Sequence, residues 1–284
     1  MLFRSSRWLV FAPLALAACH PFLQPEAPPT PRKHPYTTPP ALVRQTAAPI
    51  AQPLRQSPIS PPRYFQEEIG GVTFQGVSFD SRSHRLAIAD QPNGPASQWS
   101  DSQEAARSTH ALAAVNGGFF TPEGRPLGRV ISHGKPTGSW NPSSLGGGVW
   151  FSQTDGSSAL VRRESARHLP ESGISSLLQA GPMLVENGRA VSGLDTVKSS
   201  PRTFIAWDGA TRWAIVHADA CTLDIVSTAL AGRHLADVVV NAALNLDGGR
   251  SAELWISPSV SGGPVFVRPF WNKPVRNFVL LLPR

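Results

Sequence analysis

Short runs of apolar residues, many of them alternating with small or polar residues, recur along the chain from about residue 63 onward. The alternation is clearest at 71–79 and 85–89, and a period of two is typical of a strand with one buried face. Shorter apolar runs bounded by Gly, Pro, Asn or Asp predict further strands at 112–115, 148–151, 183–185, 204–207, 213–216, 254–256 and 279–282. The pattern therefore predicts a domain made mainly of short strands.

Helical signals are fewer than strand signals. Residues 101–109 follow a capping pattern, with Ser100 or Asp101 as the N-cap and Glu104 in the first turn. Residues 223–235 place apolar side chains on one face of a helix. Isolated helices among many strands predict a single α+β domain with a mixed, mostly antiparallel sheet and few helices.

The first nineteen residues have the composition of an export signal. Arg4 and Arg7 precede an uncharged, mostly apolar stretch at 8–18, which is shorter than the roughly 20 residues that a transmembrane helix needs. The stretch ends in Leu-Ala-Ala-Cys, which resembles a bacterial lipobox, so we expect 1–18 to be a lipoprotein signal peptide and Cys19 to carry lipid. The alternative is an ordinary signal peptide with an incidental cysteine.

The composition changes after Cys19. Between residues 20 and 62 lie 13 of the 28 prolines and no glycine, a composition that supports neither helix nor sheet. We interpret 19–62 as a proline-rich disordered tether and 63–284 as one folded domain, which is long enough to bury a substantial core. The predicted location is an exported, membrane-anchored lipoprotein, in the outer membrane or periplasm if the source is a double-membraned bacterium.

Charge and cysteine content narrow the possible partners. The chain has 26 Lys and Arg against 19 Asp and Glu, a net charge of +7 that falls to +5 when Arg4 and Arg7 leave with the signal. The cations form no run, so nucleic acid is not an expected partner.

With Cys19 lipidated, Cys221 cannot form an intrachain disulfide or a cysteine-based zinc site. We predict that Cys221 is a small buried hydrophobe, with a reactive thiol as the alternative.

Three segments run from an apolar strand into a polar or glycine-rich turn. They are AAVNGGFF at 113–120, QAGPMLVENGR at 179–189 and ALNLDGGRS at 243–251. Paired glycines at a strand end allow backbone N–H groups to approach a ligand. The alternative is that Asn-Gly-Gly and Asp-Gly-Gly form hairpin turns. For either segment considered alone, the hairpin turn is the stronger interpretation.

Together with PLGRVISHGK at 126–135 and SPRTFIA at 200–206, these segments give the chain a family resemblance. In this order and spacing they resemble the phosphodiester glycosidase family over roughly residues 72–283. The family includes an enzyme that removes N-acetylglucosamine from a sugar phosphodiester, and many exported bacterial proteins. The resemblance therefore implies a hydrolase that acts on a glycosyl-1-phosphodiester bond in envelope or extracellular polysaccharide.

Such a reaction expels a phosphate monoester, which is a weak base. It calls for cations and N–H donors around the phosphate and for a carboxylate at the anomeric centre. Arg202 is the candidate for the phosphate, because a guanidinium binds phosphate oxygens bidentately, and a structural salt bridge is the alternative. Asp247 is the candidate carboxylate. The resemblance adds these substrate-binding candidates: Asn116, Gly117, Gly118, Phe119, Gly181, Thr203, Asn245, Gly248, Gly249 and Ser251.

The individual roles follow from side-chain chemistry. Asn116 and Asn245 would bond sugar hydroxyls, whereas Phe119 or Phe120 would stack on a sugar face while the other joins the core. Ser251 would hold phosphate or cap a following helix.

Weaker candidates surround this set. Glu253 and Asp219 are possible second carboxylates or surface charges, and His133 and His217 are expected to be structural histidines. No cofactor is expected, although a divalent cation between Asp247 and a phosphate stays an open alternative.

One departure from the family pattern keeps a second function class open. Where the family often has Gly or Ile after the second glycine of NLDGG, this chain has Arg250, a cation beside the predicted site. The rival function is a non-catalytic lipoprotein that binds wall or extracellular polysaccharide on the same fold.

Overall fold

A computed structural model describes residues 58–284, which belong to one compact unit. Within these residues the strands are β1 Arg63–Ile69, β2 Val72–Asp80, β3 His84–Asp90, β4 Ala113–Asn116, β5 Val130–Ser132, β6 Lys135–Thr137, β7 Gly148–Gln153, β8 Ser158–Arg162, β9 Ile174–Ala180, β10 Met183–Glu186, β11 Arg189–Ala190, β12 Ser200–Trp207, β13 Arg212–Cys221, β14 His234–Leu235, β15 Val238–Val239, β16 Ala242–Asn245, β17 Leu254–Ile256, β18 Val265–Val267 and β19 Asn277–Pro283. The predicted signal peptide, Cys19 and nearly all of the tether lie outside the described residues.

Helices are a minor component of the described part. They are α1 Ser102–Thr109, α2 Arg163–Ala166 and α3 Leu223–Leu230, with short 3₁₀ turns at Ser144–Gly146, Glu171–Gly173 and Gly249–Ser251.

The strands form three main sheets and one small hairpin. Sheet A has the order β1-β2-β13-β12-β16-β10-β11, sheet B the order β18-β17-β4-β19-β3, and sheet C the order β6-β5-β9-β7-β8, while β14 and β15 pair separately. Every pairing between these named strands is antiparallel. The predicted α+β class with mostly antiparallel pairing is confirmed, with the strands divided among sheets rather than gathered in one.

The alternation along the strands sorts side chains between two cores. On β12, Ile205 joins a central cluster that includes Val115 of sheet B and Trp150 of sheet C. Its neighbour Phe204 points to the other face of sheet A and packs with α3 through Val226. The middle of sheet A is therefore covered on both faces, which explains why residues 204–206 of β12 and 213–216 of β13 are continuously apolar.

The two predicted helices form, and one is shorter than expected. Asp101 caps α1 by accepting a hydrogen bond from Glu104 N at 2.9 Å. The Glu104 carboxylate accepts one from Ser100 N at 2.7 Å, which fixes the residue before the cap. The prediction of a helix over 223–235 is wrong at its C-terminal end, because α3 stops at Leu230 and the chain turns through Gly232 at φ +63°.

A buried ion pair joins the end of β3 to the start of β19. Arg276 Nε and Nη2 donate to the two carboxylate oxygens of Asp90 at 2.8 and 2.9 Å, and both side chains are buried. We expect Arg276→Met to lower the free energy of unfolding by about 3–5 kcal/mol, because it leaves a buried carboxylate without its cation. Arg125→Met, which removes an exposed cation 3.9 Å from Glu123, is the matched control and should leave the urea midpoint unchanged. An equal midpoint for both variants would contradict the prediction.

Candidate functional site

Three of the predicted segments meet where their strands end. Asn116 ends β4, Thr203 lies in β12, and Asp247 follows β16. Backbone bonds join the segments directly, from Leu246 N to Thr203 O at 2.9 Å and from Asp247 N to Gly117 O at 3.1 Å. The structure thus brings the candidates of the first and third segments together with the Arg-Thr pair.

The buried Asn116 carboxamide is the centre of this junction. Its Nδ2 donates to Asp247 O at 2.6 Å and to Gly117 O at 3.3 Å, and its Oδ1 accepts from Thr203 Oγ1 at 2.9 Å and from Glu253 N at 3.1 Å. A carboxamide offers two donor hydrogens and two acceptor sites, so all four are used inside the protein. Asn116 is therefore better suited to positioning Asp247 than to bonding a sugar hydroxyl.

Asn245 connects the second segment to the site. Its Nδ2 donates to Gly181 O at 2.9 Å and to Leu246 O at 2.8 Å. Its Oδ1 is buried and has no hydrogen-bond partner within residues 58–284. Because a buried acceptor without a partner is destabilising, this oxygen is available to a substrate hydroxyl or a bound water.

The glycine pair after Asn116 is needed for close packing. Gly117 N donates to Asn277 O at 2.8 Å, and Gly118 N donates to Asn277 Oδ1 at 3.0 Å. A Cβ on Gly117 would collide with Asn277 Oδ1. Both N–H groups are thus engaged within the protein.

The glycine pair after Asp247 lies beside the Arg202 side chain rather than in close packing with Asn277. Gly249 adopts φ +62°, and a Cβ on Gly248 would lie 3.6 Å from Arg202 Nη1 and 3.0 Å from Pro201 O. The missing side chain keeps the space beside that guanidinium open.

Arg202 is 7% exposed and is held by carbonyl groups. Its Nε donates to Cys221 O at 3.2 Å and its Nη2 to Lys198 O at 2.6 Å. Burial lowers the pKa of the guanidinium, and the charge of Asp195 partly offsets this effect. No carboxylate of the described residues lies within ion-pair distance of the guanidinium, although the charge of Asp195 acts on it from farther away. A buried cation held only by carbonyl groups suits an anionic ligand.

Asp247 is half-buried, and burial raises the pKa of its carboxyl group above the usual 3.8. The Ser251 hydroxyl, the Lys273 charge, the Gly248 N–H and the Lys198 charge oppose this rise, in decreasing order. Ser251 Oγ forms no hydrogen bond with the described residues. Its hydroxyl therefore lowers the Asp247 pKa by lying close to the carboxyl group. Burial outweighs the attractive groups.

Lys198 and Lys273 are the site residues that the sequence analysis missed. Lys273 Nζ lies 4.6 Å from the centre of the Phe120 ring, a cation–π contact. Lys273 N also donates to Arg250 O at 3.0 Å, and Arg250 Nε donates to Trp271 O at 3.0 Å. No spacing in the sequence indicates these contacts, because the residues that they join are far apart along the chain.

The two phenylalanines of the first segment differ in surroundings. Phe120 packs against the core cluster under α1. Phe119 is half-buried and belongs to none of the four core clusters of the described residues. Phe119 is therefore the better of the two for stacking on a sugar, as the sequence analysis allowed.

The weaker candidates differ in burial. Burial lowers the pKa of His217 to about 4, whereas His133 is exposed in the turn between β5 and β6 and Asp219 is exposed at the end of β13. Cys221 is a buried free thiol whose pKa burial raises to about 11, which confirms the prediction of a small buried hydrophobe. None of His133, Asp219 or Cys221 contributes a side chain to the junction.

Residues 58–284 contain neither a cluster of metal-ligating side chains nor a membrane-spanning helix. No three His, Cys, Asp or Glu side chains are grouped so that they could hold a metal ion. No helix in this part of the chain is both long and apolar enough to cross a membrane.

Glu253 adjoins the junction as a buried acid. The side chain is 0% exposed, and neither carboxylate oxygen has a hydrogen-bond partner by strict geometry among the described residues. Burial raises its pKa to about 8, with the Ser102 N–H at the start of α1 as the main opposing group. At neutral pH this carboxyl group is therefore mainly protonated.

Glu253→Gln tests that protonation state. The folded-state pKa is raised, so the wild type should match the variant in stability below about pH 4.5 and lose stability relative to it as pH rises to about 8. The final difference should be about 5 kcal/mol, because the pKa rises from 4.5 to about 8 and each pKa unit corresponds to about 1.4 kcal/mol. Urea unfolding at several pH values measures it, with exposed Glu68→Gln as the control. A pH-independent difference between wild type and Glu253→Gln would show that the buried acid does not ionise in this range.

The chain is similar to one family of known proteins. Residues 109–282 match the family model described as phosphodiester glycosidase, a shorter stretch than the predicted 72–283. The catalytic domain of zebrafish N-acetylglucosamine-1-phosphodiester alpha-N-acetylglucosaminidase, auto-inhibited by its pro-peptide, is similar in structure, with a TM-score of 0.57 at 21% identity. The match covers 81% of this chain and 85% of that one.

A second structural match is more distant. A hypothetical protein from Synechocystis is similar with a TM-score of 0.51 at 17% identity, over 78% of this chain and 61% of that one. No curated protein matches the sequence. At these identities the structural matches show a shared fold, whereas the family model covers more than half of the chain. The chain belongs to the phosphodiester glycosidase family.

Proposed function

We propose that this protein hydrolyses a glycosyl-1-phosphodiester bond in envelope or extracellular polysaccharide. The observation that carries the proposal is the charge arrangement around Asp247. A buried guanidinium held by carbonyl groups, Arg202, lies beside Gly248, and the charges of Lys198 and Lys273 act on the Asp247 carboxyl group. A carboxylate with several cations close by matches a substrate that joins a sugar to a phosphate.

The reaction divides between these groups. Cleavage of the anomeric C–O bond leaves its electron pair on a phosphate oxygen, and the departing phosphate monoester needs positive charge more than a proton. Arg202, Lys198 and Lys273 would supply that charge. Asp247 would stabilise the oxocarbenium-like centre, direct water to it or attack it. In each role the ionised form of Asp247 is the active one.

The remaining candidates support this centre. We propose that Asn116 and Thr203 hold the Asp247 main chain, since both side chains bond to Asp247 O. Asn245 Oδ1 would accept a bond from a substrate hydroxyl, and Phe119 would stack on the sugar.

Location is a separate part of the proposal. We infer from residues 1–19 that the protein is exported and anchored in a bilayer through Cys19, with 19–62 as the tether. Metabolic labelling with a radioactive fatty acid, in wild type and in Cys19→Ser, tests this inference, because only the wild type should be labelled.

Asp247→Asn tests the carboxylate. We expect kcat for a synthetic sugar-1-phosphodiester to fall about a thousandfold or more, because the neutral amide cannot stabilise the cationic centre. In the wild type, kcat/KM should decline as pH falls through the Asp247 pKa, which burial places above 3.8. Released reducing sugar is the measurement, and Asp219→Asn, at an exposed position, is the control. Full activity in Asp247→Asn would refute the role, and binding without turnover in the wild type would favour the rival polysaccharide binder.

Arg202→Met tests the phosphate partner. Loss of a charge-assisted bond should lower kcat/KM about ten- to a hundredfold. The exposed Arg233→Met should leave kcat/KM unchanged. Because Arg202 also holds two carbonyl groups, Arg202→Lys is measured alongside. It keeps the charge without the planar fork and should retain only part of the activity. Unchanged kinetics in folded Arg202→Met would exclude contact with the phosphate.

A further inference from the structure

An exposed aromatic turn lies between β18 and β19. Phe270 is fully exposed and Trp271 is 64% exposed. They occupy the two central positions of a β-turn that is closed by a bond from Asn272 N to Pro269 O at 3.0 Å. Two neighbouring large aromatic side chains with this exposure are unusual on a soluble surface unless they bind something.

The turn is held in place from both sides. Arg250 Nε donates to Trp271 O at 3.0 Å, and Arg250 O accepts from Lys273 N at 3.0 Å. Beyond the turn, Gln91 Nε2 donates to Val275 O at 2.9 Å. The turn is thus fixed before any ligand arrives, which lowers the entropy that binding has to overcome.

The same contacts place the turn beside the proposed site. Arg250 lies three residues after Asp247, and Lys273, two residues after Trp271, acts on the Asp247 carboxyl group. The turn is therefore joined through Arg250 to the loop that carries Asp247.

We propose that Phe270 and Trp271 bind sugar residues next to the one that is cleaved, so that the enzyme prefers a polymeric, phosphate-linked glycan to a small glycosyl phosphodiester. Aromatic rings present flat apolar faces, and the C–H face of a sugar ring is complementary to them. Arg250 and Arg268 flank the turn, and Arg268 lies 5.5 Å from the centre of the Phe266 ring. Arg268 is paired with Asp101 at 3.1 Å, so the exposed Arg250 is the cation that suits the repeating negative charge of such a polymer. This inference rests on the proposed function.

A glycan is favoured over a membrane surface by the position of the turn. A polymer can extend from the site across the adjacent rings, whereas a bilayer would meet only two aromatic side chains on a turn that is fixed by Arg250. Binding to membranes is therefore an alternative outcome of the test.

The experiment compares two substrates that share the same sugar-1-phosphodiester bond, a monomeric one and a polymer. The variants are the double change Phe270→Ala with Trp271→Ala, the conservative Trp271→Phe, and Ile225→Ala as a control at an exposed apolar position of α3. We expect the double variant to lose about tenfold in kcat/KM on the polymer, since removing buried apolar contact of this size weakens binding by that order. Its kcat/KM on the monomer should stay within about twofold, and Trp271→Phe should keep most of the activity on the polymer.

Several results would overturn the inference. Equal losses on both substrates would mean that the turn supports the site structurally, and no loss on either would mean that it binds no glycan. A double variant that loses binding to vesicles of anionic phospholipid, with polymer kinetics unchanged, would assign the turn to a membrane.

The proposed function can fail separately. If wild type cleaves neither substrate, that proposal fails, and retardation of the protein in gels that contain the polymer still tests the aromatic surface. Retardation of wild type but not of the double variant would support the surface, and equal migration would overturn it.

Discussion

Everything at the junction depends on one buried carboxamide. Asn116 uses all four of its hydrogen-bonding positions to join the end of β4 to β12, to the residue before β17 and to the main chain of Asp247. Buried polar groups are costly when unpaired and strongly directional when saturated. Sheets A and B are thus held together at the point where the carboxylate emerges, and apolar packing alone would not fix that position.

Charged side chains are then concentrated beside the backbone that the Asn116 carboxamide holds in place. Burial raises the pKa of Asp247 despite the nearby lysines, and Arg202 is buried with only carbonyl partners. A protein selected for stability alone would pair these groups or remove them. Burying Arg202 without an ion-pair partner is destabilising in the free protein, and an anionic ligand beside the guanidinium would offset that cost, which is how a preorganised site binds a developing charge.

The sequence predicted several of the secondary-structure elements better than the contacts between them. The strand at 254–256 matches β17 end to end, and the capping pattern located the start of α1. By contrast, β1 and β9 were missed. In β1, Gln66, Glu67 and Glu68 obscure the alternation. The family motifs singled out Arg202 and Asp247, yet Asn116 looked like a sugar ligand, because saturation by tertiary hydrogen bonds has no local signature.

Arg250, which departs from the family pattern, affects the aromatic turn that lies about twenty residues later in the sequence. Its side chain is exposed and bonds to Trp271 O, while its carbonyl accepts from Lys273 N. A glycine at this position would keep the second bond and lose the first. The extra cation therefore fixes the aromatic turn rather than entering the space beside Gly248. The four hydrogen bonds of Asn116 involve neither Arg250 nor the aromatic turn, whereas Lys273, in the same loop, acts on the Asp247 carboxyl group through its charge.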